Sequence, residues 1–185
     1  MSARETYPAA QAMMIADAML HLLSPVCDRV VVAGSLRRKK AEVGDIELLY
    51  IPAFGNRQLD MFTTGPVNLA DELLGRMLAP GEILKRPGRA GGFTWGQWNK
   101  FALHRSGIPI DFFATTAERW WMSLVIRTGG RETNLKLTTG AQARGMTLNA
   151  YGAGFTKDGD TIPVASEEDV FALAGVPFHP PEGRL

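Results

Sequence analysis

The sequence has a single cysteine and few histidines. Cys27 is its one cysteine, and its three histidines, His21, His104 and His179, lie far apart in the chain. A lone cysteine excludes an intrachain disulfide, and this spacing excludes a zinc finger. The 185 residues therefore have to be stabilised by a hydrophobic core, for which the chain is long enough.

Excess charge and long apolar runs are also missing. The chain has 20 Lys and Arg against 19 Asp and Glu, so nucleic-acid binding would need basic residues gathered on one face. The apolar run from Ala12 to Leu23 is interrupted by Asp17 and His21, and lacks a basic leader and a cleavage site. It falls short of the stretch of about 18 apolar residues that a membrane span needs. We expect a cytoplasmic, monomeric protein with no membrane contact.

The apolar periodicity predicts an α+β protein. The predicted helices are 7–23, 67–79, 115–127, 131–143 and one that starts at Ser166; the predicted strands are 29–33, 46–51, 83–86, 98–104 and 108–114. Residues 53–66 are rich in turn formers, residues 87–97 read as a mobile loop, and Thr115 with Glu118 predicts a capping box. A hairpin is expected to turn at Asp158-Gly159.

Two carboxylates open the predicted strand IELLYI. Because side chains alternate along a strand, Asp45, Glu47 and Leu49 share one face, and Ile46, Leu48 and Tyr50 share the other. Both faces are apolar beyond the first residues, which is typical of a central strand. Two carboxylates at its rim repel each other and lose hydration unless a cation compensates them, so a divalent metal is one explanation.

A plainer interpretation is an exposed strand start whose acids pair with the basic run 37–40. What favours the metal is Asp111, a third acid inside the apolar segment IPIDFFA of a predicted neighbouring strand. Three carboxylates can hold two Mg²⁺ ions about 3.5–4 Å apart, which is the arrangement used in phosphoryl and nucleotidyl transfer. A lone strand aspartate would more often be structural.

The turn before these acids suits a phosphate. Gly34 lets the backbone approach a ligand, and successive amides with the Ser35 hydroxyl can donate to phosphate oxygens. Arg38 adds a guanidinium fork. GSLRRKK lacks the spacing and the GK[ST] ending of a P-loop. Without the acids, the basic run would read as a solvated turn.

Together these motifs resemble the polymerase-beta-like nucleotidyltransferases, and among them the family X DNA polymerases. The resemblance rests on Gly34-Ser35-Leu36-Arg37-Arg38, on Gly44-Asp45-Ile46-Glu47, on Asp111, on Arg127-Thr128-Gly129 with Asn134, and on the segments LNAYGAGF and EEDVFALAGVPFHPPE. It extends from about residue 7 to residue 185. Ile126-Arg127 stands where the family has a Tyr-Phe pair, and Phe113 stands where an Arg is common.

The resemblance implies a nucleotidyltransferase palm domain, 1–114, with a mixed sheet and helices, followed by a small helical and hairpin domain, 115–185, that is thumb-like. It looks like the minimal two-domain form, with no lyase domain. It implies that Asp45, Glu47 and Asp111 are catalytic and bind two Mg²⁺ ions, for which Mn²⁺ could substitute. A nucleoside triphosphate would lie against Gly34, Ser35, Arg38, Arg127, Thr128, Gly129 and Asn134.

The implied activity is Mg²⁺-dependent addition of a nucleotide to a DNA 3′-hydroxyl with release of pyrophosphate, in short-gap repair. From charge and position we expect gapped or primer–template DNA to contact Lys85, Arg86, Arg89, Lys100, Arg131 and Lys136, although a basic residue of this kind, taken alone, is more often a solvated surface charge. One alternative is a template-independent nucleotidyltransferase acting on RNA, a protein or a small molecule. Another is a noncatalytic module that binds DNA ends.

Overall fold

The structure is a computed structural model that describes residues 5–58, 61, 63–88 and 91–185. The strands are β1 (Tyr7–Pro8), β2 (Cys27–Val32), β3 (Glu42–Val43), β4 (Ile46–Pro52), β5 (Phe54–Gln58), β6 (Thr64–Asn68), β7 (Ile83–Lys85), β8 (Asn99–His104), β9 (Pro109–Ala114), β10 (Thr147–Leu148), β11 (Gly154–Lys157) and β12 (Asp160–Pro163). The α-helices are α1 (Ala9–Leu23), α2 (Gly34–Arg37), α3 (Leu69–Leu78), α4 (Trp120–Thr128), α5 (Arg131–Ala143) and α6 (Glu167–Ala174).

A five-stranded sheet organises the N-terminal part. Its strand order is β2-β4-β9-β8-β7, and β4 and β9 run parallel while the other neighbours run antiparallel. The mixed sheet with helices is therefore confirmed. Strands β4 and β9 lie at its centre, which explains why their sequences are apolar on both faces.

The two faces of β4 pack against different helices. Ile46, Leu48 and Tyr50 are buried in one cluster with residues of α1 and α3. Leu49 packs on the other face with residues of β9 and α4. The alternation read from IELLYI is confirmed, and it leaves the face of Asp45 and Glu47 open at the start of the strand.

One segment, Ala9–Val26, is long and apolar enough for a membrane span by composition, with a mean hydropathy of 1.2. The core helix of a folded domain and a signal sequence meet the same criteria of length and composition. Here Ala12, Ala16, Met19 and Leu23 of α1 are buried against the sheet.

A second core forms from α4, α5, α6 and the hairpin β11–β12. Helix α4 contributes to both cores, because Trp120 and Leu124 pack on the sheet while Met122 and Val125 pack with α5 and α6. The hairpin turns at Asp158-Gly159, as predicted. Helix α6 begins after Ser166, whose hydroxyl accepts the Asp169 amide at 3.0 Å.

Two local predictions were wrong. The turn-rich segment 53–66 contains the antiparallel pair β5–β6, whose polar, largely exposed residues lack the apolar alternation that marks a strand. Thr115 and Glu118 form no capping box, because α4 begins at Trp120, and the Thr115 hydroxyl lies 2.9 Å from the hydroxyl of Ser123.

An ion-pair network joins the sheet domain to the C-terminal part. Arg37, at the end of α2, pairs with Glu167 at the start of α6 and donates to the Thr128 hydroxyl at 2.6 Å. Arg184 pairs with the same Glu167 at 2.5 Å and is 0 % exposed. One buried carboxylate therefore compensates two arginines from distant parts of the chain.

We predict that Glu167→Gln lowers the free energy of unfolding by about 3–5 kcal/mol, because it leaves two arginines without their anion. Urea unfolding measures this cost. Glu182→Gln is the matched control, since Glu182 pairs at 2.5 Å with Lys39 on the exposed surface and its loss should leave stability unchanged. Equal effects of the two substitutions would contradict the importance of the buried network.

Candidate active site

Strand register brings two of the predicted acids together. In the parallel pair of β4 and β9, Glu47 lies directly opposite Asp111, and Leu49 lies opposite Phe113. Paired residues on neighbouring strands point to the same face. Asp45 precedes β4 by one residue, and its charge acts on both Glu47 and Asp111. The structure thus gathers the three acids at one rim of the sheet.

Glu47 is the most perturbed of these acids. Burial in the first place, and then the charges of Asp45 and Asp111, raise its pKa from 4.5 to about 7, although Arg127 and Arg38 act to lower it. Its carboxylate packs on the backbone of Gly34, where an added Cβ would lie 1.8 Å from Oε2. Gly34 has a φ of +61°, which also favours glycine.

Asp111 already has a cationic partner. Arg86 donates from Nη2 to Oδ1 of Asp111 and forms an ion pair with it. Burial raises the pKa of Asp111, while Arg86 lowers it. The carboxylate is 13 % exposed and the arginine side chain 30 % exposed, so the pair lies at the edge of solvent.

The turn after β2 lies beside these acids. The Ala33 amide donates to the Glu47 carbonyl at 2.8 Å, which fixes the turn against β4. Helix α2 follows, with Gly34 buried and Ser35 partly exposed. The backbone amides and hydroxyl predicted to bind phosphate are therefore next to the carboxylates.

An arginine of the turn contacts the C-terminal segment that was predicted to bind a nucleotide. Arg38 donates from Nη1 to the Thr128 carbonyl, and its Nε is buried with no hydrogen-bond partner among the described residues. Asn134 donates from Nδ2 to the Ile126 carbonyl at 2.9 Å and lies against Gly129. Asn134 Oδ1 also has no partner within the described part of the chain. Two buried polar atoms next to the contact between the turn and α4 are therefore unsatisfied.

Arg127 replaces an aromatic residue of the family pattern and stacks on one. Its guanidinium carbon lies 3.6 Å from the centroid of the Phe113 ring and 5.9 Å from that of Tyr151. It also lines a cavity of about 200 Å³ together with Leu49 and Trp98. This cavity adjoins the acids, because Leu49 and Phe113 follow Glu47 and Asp111 by two residues on the same face.

Comparison with known proteins shows what this chain is similar to. The family model of the DNA polymerase beta thumb matches residues 123–185. The DNA polymerase/3′-5′ exonuclease PolX of Bacillus subtilis (strain 168) is 28 % identical over 152 residues, which are 82 % of this chain and 23 % of the relative. The chain is thus similar to a PolX polymerase over most of its length and to the polymerase beta thumb over its C-terminal third. It spans about a quarter of the length of that curated relative.

Two solved structures of polymerase beta share the fold of this chain. Leishmania infantum polymerase beta in a ternary P/T complex matches with a TM-score of 0.75 at 17 % identity, over 97 % of this chain and 77 % of the other. The ternary gap complex matches with a TM-score of 0.76 at 16 % identity, over 97 % and 71 %. The expected polymerase-beta-like α+β fold is confirmed.

The basic residues predicted to contact DNA lie in different environments. Lys85, Arg131 and Lys136 are exposed, and Arg86 is half-buried on Asp111. Arg89 lies outside the described residues. That the three exposed residues contact DNA stays a prediction, and their exposure is compatible with it.

Lys100 requires a correction. It is 2 % exposed, pairs with Asp71 of α3 at 2.6 Å and donates to the Gly96 carbonyl at 2.8 Å. A buried ammonium cannot reach a DNA phosphate, so this lysine is a structural countercharge. Its position in β8 between two partly buried residues could not reveal this from charge alone.

The acids offer a divalent metal suitable oxygen ligands and the opposite charge. Carboxylate oxygens are the ligands that Mg²⁺ prefers, and a cation beside Glu47 would oppose the burial and the neighbouring negative charges that raise its pKa. Among the described residues, no three Asp, Glu, His or Cys side chains are already arranged to hold a metal.

Sequence reasoning missed the ion pairs of Glu167 with Arg37 and Arg184, which join the sheet to the C-terminal helices. Arg37 and Glu167 are 130 residues apart, and local periodicity carries no signal of such a contact. It also missed that Tyr151 stands near Arg127. Only the tertiary fold brings these together.

We predict that Glu47→Gln stabilises the protein above pH 7. The unfolded carboxyl loses its proton near pH 4.5 and the folded one at about 7, so stability falls as pH rises through this window and the full cost remains above it. The gain at pH 8 is up to about 3 kcal/mol, or roughly 5–10 °C in Tm. Thermal unfolding at several pH values measures it.

The difference between Glu47→Gln and wild type should vanish near pH 4, where both side chains are neutral. Glu132→Gln, at an exposed position of α5, serves as the control and should leave Tm unchanged across this range. A Glu47→Gln variant no more stable at pH 8 than wild type would show that the carboxylate is not strained by its surroundings.

Proposed function

We propose that this chain is a nucleotidyltransferase that adds a nucleotide to a DNA 3′-hydroxyl, in short-gap filling during DNA repair. The observation that carries the proposal is the register of Glu47 opposite Asp111, with Asp45 one residue before the strand, beside the Gly34 turn. The name of the Bacillus subtilis relative and the ternary complexes of polymerase beta support DNA as the acceptor.

The residues divide the work by their positions. The amides of α2 and the Ser35 hydroxyl bind the phosphates of the nucleoside triphosphate, and the Arg38 guanidinium beside them adds positive charge. Thr128, Gly129 and Asn134 lie on the side of the sugar and base. Arg127, stacked on Phe113, adds positive charge near the developing negative charge.

Asp45, Glu47 and Asp111 would hold two Mg²⁺ ions. When bound, the metal supplies Lewis-acid polarisation of the phosphoryl oxygens and activates the attacking hydroxyl. In the transfer, the 3′-hydroxyl loses its proton to solvent and its oxygen forms a bond to the α-phosphorus, while the bond from the α-phosphorus to the bridging oxygen breaks and pyrophosphate leaves. The carboxylates orient the reacting groups, and the Gly34 turn retains the leaving phosphates.

We expect a labelled primer on gapped DNA with Mg²⁺ and single nucleotides to be extended by the nucleotide that complements the template base. Asp111→Asn should reduce extension about 100-fold or more, since a metal ligand contributes several kcal/mol to transition-state stabilisation. Asp17→Asn, at an exposed position of α1, is the matched control and should extend normally.

Other results of this assay identify the alternatives. Addition indifferent to the template base would favour a template-independent transferase. Absence of any addition to DNA, with DNA still bound, would contradict the polymerase proposal and favour a binding module. Equal activity of Asp111→Asn and wild type would contradict the assignment of the acids.

A further inference from the structure

Arg86 is held on Asp111 by the backbone of the sheet. It follows the last residue of β7, and its amide donates to the carbonyl of Phe101 at 2.9 Å. Phe101 is the register partner of Asp111 in the antiparallel pair of β8 and β9. This anchoring puts the Arg86 side chain on the Asp111 carboxylate, where it forms the ion pair described above.

The ion pair leaves Arg86 only partly satisfied. Its guanidinium has five N–H donors, one of which meets Asp111 Oδ1, while its buried Nε has no hydrogen-bond partner among the described residues. An unsatisfied buried donor is unfavourable, and a second anion would relieve it. With its side chain 30 % exposed, Arg86 can also be reached from solvent. It therefore lacks the full set of partners of a purely structural arginine.

The strand order places Arg86 on the acceptor side of the site. The Gly34 turn adjoins β4, Arg86 adjoins β8, and β9 with Asp111 lies between them. The inference rests on the proposed function, in which the nucleotide phosphates occupy the Gly34 turn. An attacking hydroxyl aligned opposite the leaving group then approaches from the other side, where Arg86 lies.

Metal binding and the ion pair compete for Asp111. A carboxylate that coordinates a divalent cation binds an adjacent guanidinium less well, because the metal ion and the guanidinium repel each other. A DNA phosphate would give the displaced guanidinium an anion of matching geometry. Arg86 thus has one partner without substrate and another suitable partner with it.

We propose that Arg86 is an exchangeable countercation, which pairs with Asp111 in the free protein and transfers to a backbone phosphate of the primer strand when DNA binds. The transfer frees the third carboxylate for metal at the moment when the acceptor is in place. DNA binding and metal binding are then coupled, each favouring the other by the same factor. Arg86 acts as a positioning residue in this scheme.

Metal-free DNA binding tests the exchange without the metal site. Anisotropy of a labelled primer–template in EDTA gives the affinity of wild type, Asp111→Asn, Arg86→Gln and the double variant. Asp111→Asn releases Arg86, so we expect binding to tighten about three- to tenfold, whereas Arg86→Gln weakens it by a similar factor. The double variant should bind like Arg86→Gln, because the gain requires the arginine.

Two controls separate exchange from bulk charge. Glu47→Gln removes a neighbouring negative charge without releasing Arg86, and should tighten DNA binding less than Asp111→Asn does. Arg76→Gln removes an exposed arginine of α3 and should not alter the effect of Asp111→Asn. A gain that persists in the Asp111→Asn, Arg86→Gln double variant, or one that Glu47→Gln equals, would overturn the proposal.

A second readout uses metal without DNA. Electron paramagnetic resonance of free Mn²⁺ measures its affinity for the full chain, and Arg86→Gln should bind Mn²⁺ several-fold more tightly than wild type because Asp111 is released. Arg86→Lys keeps the charge and should fall between the two, and circular dichroism confirms that each variant is folded. Unchanged Mn²⁺ affinity in folded Arg86→Gln would contradict the exchange.

The failure of this inference differs from the failure of the proposed function. If primer extension depends on Asp111 but the four DNA affinities combine additively, the exchange alone is wrong. If wild type neither binds primer–template nor extends it, the proposed function is wrong and the exchange falls with it.

Discussion

Repulsion among carboxylates at the rim of a central sheet is the constraint on which the site depends. Glu47 and Asp111 cannot separate, because the parallel register of β4 and β9 fixes them side by side. Burial and these neighbouring charges raise the pKa of Glu47 to about 7, so the folded chain carries an acid poorly suited to its surroundings. Such local strain is typical of a functional site and is stabilised by the rest of the fold. Arginines around the acids, Arg86 and Arg127 among them, reduce the strain without removing it.

The same arginine-rich surroundings connect the two parts of the chain. Arg37 and Arg38 leave the turn after β2 and reach Thr128 at the end of α4, so the turn and the C-terminal helices are positioned by one another. Helix α4 belongs to both hydrophobic cores, which makes this connection rigid at its base. A ligand held between the turn and α5 would therefore contact both parts of the molecule. This explains why polar residues far apart in the sequence serve one site.

Much of this could be predicted from the sequence, for reasons that are local. The alternation in IELLYI identified the two faces of β4, and the acids that interrupt the apolar strands were expected to lie together, as Glu47 and Asp111 do in the register of β4 and β9. Partners across domains could not be predicted, since nothing near Arg37 indicates Glu167, and nothing near Asp111 indicates Arg86. Lys100 was misassigned for the same reason, because charge alone does not distinguish a surface lysine from one that pairs with Asp71 in the interior. Strands β5 and β6 were missed because their polar residues face solvent without alternation.

The most direct test of the central claim is the thermal stability of the metal-free protein at pH 8 as Mg²⁺ is added. If the three acids bind Mg²⁺, its addition should raise the Tm of wild type by roughly 5 °C or more at saturation. The same titration should have little effect on Glu47→Gln, in which one of the repelling charges is already gone. An equal rise in both proteins, or no rise in wild type, would show that the acids neither need nor hold the metal.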